Sequence, residues 1–149
     1  MAVKKTLPPT YFIVAILLSV AFHFLLPIKV FVFYPWNLIG ILSILFGIYL
    51  NIVADRDFKR VKTTVKPFEE SSFLLKDGVF RISRNPMYLG MVFILAGIAV
   101  LFGSALPFLI AFLFGYFMDF MFIRVEEGML EAKFGEEWLD YKSKVRRWL

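Results

Sequence analysis

"MYLGMVFILAGIAVLFGSALPFLIAFLFGYFMDFMFI", residues 87–123, carries a single charged side chain, Asp119, in an otherwise apolar run. A helix needs about 20 residues to cross the hydrocarbon core of a bilayer, and this run is close to twice that length. It must therefore turn once. Gly103 and Ser104, within "GSALP", supply the turn, so the stretch reads as two antiparallel spans, about 87–102 and 104–123, in a tight helical hairpin. Both outer ends of the hairpin then lie on the same side of the membrane.

Two further apolar segments precede it. "TYFIVAILLSVAFHFLLPIKVFVFY", residues 10–34, is too long and too aromatic for a signal peptide and reads as a retained span ending near Pro27. "WNLIGILSILFGIYLNIVA", residues 36–54, stops at the charged "DRDFKR". The expected fold is thus all-α and polytopic: one membrane domain over residues 1–149, with four spans, a loop at 55–86 and a tail at 124–149. Composition agrees, since 60% hydrophobic residues and 19 Phe in 149 residues exceed what a soluble domain of this size can bury. The net charge of +5 comes from basic residues flanking the apolar runs, a pattern that suits anionic lipid rather than nucleic acid. Without Cys, and with His23 as its one histidine, the chain has no thiolate or multi-histidine metal set, and no metal is expected.

Lys and Arg also set the orientation, because positive residues stay on the cytoplasmic side. Lys4 and Lys5 precede the first span, eight basic residues lie in 55–86 and six in the tail, while the opposite connections hold Lys29 alone. Both termini and the long loop are expected to be cytoplasmic, which gathers the polar chemistry on one face. The tail "RVEEGMLEAKFGEEWLDYKSKVRRWL" places Val125, Met129, Leu130, Phe134, Trp138, Leu139 and Tyr141 mostly at three- and four-residue spacing, the pattern of an amphipathic helix broken near Gly135. Such a helix serves as an interfacial anchor, yet Glu126 and Glu127 at its start do not suit an anionic leaflet. Asp119 sits seven residues before Glu126 on nearly the same helical face. It either makes a structural hydrogen bond to Tyr49, Asn51 or His23, or meets the polar end of a substrate and receives a proton from it. His23, mid-span, reads as an interhelical contact.

The motifs "RNPMYLG", residues 84–90, and "EEGMLEAKFGEEWLDYKSKVRRWL", residues 126–149, resemble the integral-membrane methyltransferases. That group includes isoprenylcysteine carboxyl methyltransferase and the phospholipid methyltransferases, and the likeness extends from about residue 63 through the "KPFEES" and "DGVFRISRNP" runs. The resemblance implies S-adenosylmethionine at the cytoplasmic end of the last spans and a lipophilic acceptor arriving from the bilayer. It assigns to the cofactor pocket Ser72, Phe73, Leu74, Leu75 and Phe80 in the loop, Asn85, Pro86, Met87 and Tyr88 at the start of the third span, and Glu126, with Glu127 beside it. Pro86 as a first helical residue leaves N–H groups free for a carboxylate, and Gly90 permits close approach of a second backbone. Two positions depart from the pattern. Asn85 stands where many relatives have His, and Phe122 stands where the prenylcysteine enzymes carry an Arg for the substrate carboxylate. Arg124 and Asp119 are then the candidate substrate-side residues. The functional expectation is an S-adenosylmethionine-dependent methyltransferase acting on N, O or S of a membrane-resident acceptor; a nicotinamide-dependent reductase of the sterol type and a non-enzymatic four-helix module are the alternatives.

Overall fold

The computed structural model describes residues 7–62 and 71–149. Lys4, Lys5 and the "KPFEE" portion of the loop lie outside the described residues. The chain is a polytopic helical membrane protein built from α1 (Pro8–Leu25), α2 (Ile39–Arg60), α3 (Pro86–Phe102), α4 (Ala105–Met118), α5 (Arg124–Phe134) and α6 (Glu136–Lys144). Among the described residues three helical runs are long and apolar enough to cross a membrane: Pro8–Leu25, Trp36–Arg60 and Ala105–Phe134; Pro86–Phe102 is a shorter apolar helix.

The boundaries differ from the apolar runs in three places. Pro27 has no N–H to continue a helix and disfavours helical backbone before it, so α1 ends at Leu25, close to the expected end near Pro27, and the apolar run to residue 34 continues beyond the helix. The following segment instead lies along the hairpin turn: Phe31 N–H donates to the Gly103 carbonyl at 2.8 Å and Ala105 N–H to that of Ile28 at 3.1 Å. At its other end α2 runs six residues past Ala54, to Arg60. Its charges pair along the helix, Lys59 with Asp55 at 2.6 Å and Arg60 with Asp57 at 3.5 Å. Finally, the helical run of the last span does not stop at 123, because a π-helical segment, Asp119–Ile123, joins α4 directly to α5. The tail therefore begins as a rigid extension of the last span, and Gly135, at φ +51°, provides the expected break before α6.

Close packing positions the helices around α3. Gly40 and Gly47 of α2 lie against Gly97 and Gly90 of α3, where any Cβ would strike the partner's backbone oxygen. The two backbones touch. Ser43 Oγ donates across this interface to the Phe93 carbonyl at 2.8 Å. On the other side of α3, Leu95, Met118, Phe122 and Ile123 join residues of α1 in a buried cluster. Gly103, at φ +67°, turns the hairpin, and Ser104 beside it meets His23 Nδ1 at 2.8 Å. The His23 ring stacks on Phe102 at 4.3 Å, which makes it the interhelical contact its position suggests.

Candidate active site

A cavity of 490 Å³ opens where the start of α3, the end of the 55–86 loop, α5 and α6 converge. Each wall has a local cause. The short 3₁₀ turn Gly78–Arg81 brings the loop back against α2, and Gly78, at φ +61°, makes the reversal possible. Phe80 then packs edge-on to Phe58 of α2, with ring centres 5.5 Å apart. Pro86 opens α3 as its first residue, and no side chain caps that end. Gly135 folds α6 back so that Trp138 and Tyr141 close the cavity against Leu74. Tyr141 also fixes the loop, donating its hydroxyl to the Phe80 carbonyl at 2.6 Å. Burial holds that phenol above its ordinary range.

Two adjacent carboxylates line this cavity and have opposite surroundings. Glu127 is nearly fully buried between two guanidiniums, Arg84 at 3.0 Å and Arg147 at 2.7 Å. Glu126 has only the Tyr88 hydroxyl, which donates to it at 2.6 Å, and no cationic side chain pairs with it among the described residues. One carboxylate is neutralised by the protein. The other is held at the cavity wall by a hydroxyl alone.

The last residues of the chain complete the frame. Arg84 N–H donates to the Arg146 carbonyl at 3.0 Å, and the Arg147 carbonyl accepts from Ser83 Oγ and from Asn85 Nδ2, both at 3.1 Å. Arg84 Nη1 further donates to the carbonyls of Lys142 and Val145, and its guanidinium sits 5.7 Å from the centre of the Trp138 ring. Arg84 is thus a strut joining loop, α5 and tail. Arg147 reaches from Glu127 to Asp119, its nitrogen 3.1 Å from the latter carboxylate. The hydrogen bonds that Arg147 donates to Glu127 lead the causes that hold its guanidinium more firmly protonated than usual, against the cost of burial.

Of the residues singled out from sequence, Phe73, Leu74, Leu75, Phe80, Asn85, Pro86, Met87, Tyr88, Glu126 and Glu127 all line the cavity. Ser72 does not, although its neighbour Ser71 does. Asp119 and Arg124 lie apart from it, paired at 3.0 Å beside a second, shallower groove on α4. Asp119 meets Arg124 and Arg147, not Tyr49, Asn51 or His23. Sequence reasoning overlooked Trp138, Tyr141 and Arg147 as parts of the site. Trp138 and Tyr141 share the apolar stripe of the tail, a stripe that anchoring in lipid explains equally well. For Arg147 no spacing rule points to Glu127.

A family model for phospholipid methyltransferases matches residues 36–137. The protein-S-isoprenylcysteine O-methyltransferase of Saccharomyces cerevisiae is 34% identical over 116 residues, which cover 73% of this chain and 46% of that enzyme. An uncharacterized protein of Haemophilus influenzae is 41% identical over 63 residues, 42% of this chain and 100% of its own length. The matched region spans about half of the yeast enzyme and the whole of the bacterial protein. No solved structure matches significantly.

Proposed function

The chain belongs to the phospholipid methyltransferase family, and from that premise we propose that it is an integral-membrane methyltransferase that uses S-adenosylmethionine and acts on a lipophilic acceptor. The observation that carries the reading is the unequal treatment of Glu126 and Glu127 at the wall of one cavity. A partly desolvated carboxylate without a cation is costly unless a ligand provides one. The amino group of the cofactor is such a cation.

The remaining donors suit the same group. Met87 and Tyr88, in the first turn of α3 where no side chain caps the helix, present N–H groups suited to a carboxylate. Phe73, Leu74, Leu75 and Phe80 form an apolar wall for a flat nucleoside base. Trp138 is fully buried at the cavity, and its indole N–H has no acceptor among the described residues. When bound, S-adenosylmethionine supplies a sulfonium methyl that is already activated for transfer. The protein's own residues therefore have the work of orientation and shielding, which contribute through proximity and exclusion of water. Tyr88 fixes the direction of the Glu126 carboxylate, while the Arg84–Glu127–Arg147 bridge holds the loop, α5 and the tail in register around the cavity. Asn85 is committed to the Arg147 carbonyl and so positions the tail.

The test is transfer of a labelled methyl group from S-adenosylmethionine by the purified protein into a membrane lipid extract. Label is expected in the chloroform-soluble fraction. Protein that remains folded yet transfers no label to any fraction of an extract from its own host would overturn the reading.

A further inference from the structure

The groove beside Asp119 shares no lining residue with the cavity and has a different character. It is lined by Val92 of α3, by Ala111, Gly115 and Tyr116 of α4, and by Trp148 of the tail, with Asp119 and Arg124 at its polar end. From Ala111 to Asp119 it follows about 12 Å of helix, at about 1.5 Å per residue, close to the roughly 15 Å depth of one leaflet's hydrocarbon. Gly115 leaves the channel open, since a Cβ there would meet only a Val92 methyl, at 3.4 Å. The shape suits one hydrocarbon chain lying parallel to α4.

The polar end is biased in charge. Arg84, Arg124 and Arg147 are linked through Asp119 and Glu127, three guanidiniums to two carboxylates, so the network carries a surplus of one positive charge. Glu126 stands outside this network, on the cavity side with Tyr88. The surplus is presented at Arg124, whose side chain is 56% exposed at the mouth of the groove. We propose that this groove is a binding site for a phosphate-bearing anionic lipid, its chain along Ala111, Gly115 and Tyr116 and its phosphate on Arg124. The site is separate from the cavity, because Arg147 stands between them with one nitrogen on Asp119 and another on Glu127. The inference does not rest on the methyl-transfer reading.

Delipidated full-length protein in an uncharged detergent is titrated with short-chain phosphatidylglycerol, with phosphatidylcholine of the same chain length, and with glycerol 3-phosphate. Binding is read as a one-to-one adduct by native mass spectrometry and as a rise in melting temperature. Phosphatidylglycerol is expected to bind tightest and glycerol 3-phosphate not at all. Arg124→Gln should weaken phosphatidylglycerol by about tenfold, the loss of one charge-assisted contact, and Gly115→Leu should block the chain. Arg124 is surface-exposed, so its variant remains informative if Gly115→Leu fails to fold. Equal affinity for the two lipids, unchanged affinity in Arg124→Gln, or binding of glycerol 3-phosphate as tight as that of the lipid would each overturn the proposal.

Discussion

Replacing Glu127 with Gln keeps its shape and removes the charge that two arginines share. The consequences follow from burial. The side chains of Glu127 and Arg84 are 6% and 8% exposed, so their ion pair is screened very little by solvent. Breaking such a pair by neutralising one partner leaves the other as an uncompensated buried charge, at a cost of about 3–5 kcal/mol. Arg147 adds less, because its side chain is 32% exposed and water already screens it. Arg84 retains its two carbonyl acceptors in Lys142 and Val145, which offsets part of the loss and places the expected destabilisation toward the lower end, about 3 kcal/mol. Glu126→Gln should cost far less stability, because Glu126 gives up no ion pair. The assay is thermal unfolding of both variants in one detergent, followed by a double-mutant cycle with Arg84→Gln to isolate the pair. A large drop for Glu127→Gln, with a favourable Arg84–Glu127 coupling, is the expected result. If Glu127→Gln is as stable as the parent but no longer binds S-adenosylhomocysteine, the assignment of Glu127 as strut and Glu126 as ligand is reversed.

Two other substitutions probe separate parts of the account. Tyr88→Phe removes the one hydroxyl that orients Glu126, and should weaken S-adenosylhomocysteine binding by about 1–3 kcal/mol; calorimetry giving the parental affinity would show that the hydroxyl does not matter to the site. Gly90→Val drives a branched side chain into Asn51 and the Gly47 carbonyl, so α2 and α3 must separate and detergent stability should fall by more than the 1–3 kcal/mol typical of overpacking; an unaltered melting temperature would contradict the backbone contact.

The hairpin and the break at Gly135 were legible in sequence because each depends on a local rule, and the cavity residues from Phe73 to Tyr88 because the motifs around them resemble those of the membrane methyltransferases. An apolar run twice the membrane thickness must turn, a Gly at positive φ must bend, and Pro86 must start a helix. The helix ends that outrun the apolar segments have the opposite origin. Hydropathy ends α2 at Ala54 and the last span at Ile123, but helical hydrogen bonding does not stop where side chains become charged, and i, i+4 pairs such as Asp55–Lys59 sustain it. The partners of Asp119 were sought on other spans at its own depth. They lie instead in the irregular segment after α6 and one turn onward, at Arg147 and Arg124, because the tail folds back over the end of the last span. Contacts made across twenty or more residues by an irregular segment have no periodicity to reveal them, which is why Arg147 escaped notice while Tyr88 did not.

The central claim is that Glu126 is held ready for the cation of S-adenosylmethionine. Calorimetric titration of S-adenosylhomocysteine into the purified parent and into Glu126→Gln tests it most directly, with a reduced nicotinamide dinucleotide as the competing ligand. The account predicts binding to the parent, no measurable binding of the nicotinamide, and an affinity at least about tenfold lower in Glu126→Gln, the loss of one charge-assisted contact of about 1.5–3 kcal/mol. Equal affinity in the folded variant, or a parent that binds the nicotinamide and not S-adenosylhomocysteine, would contradict it.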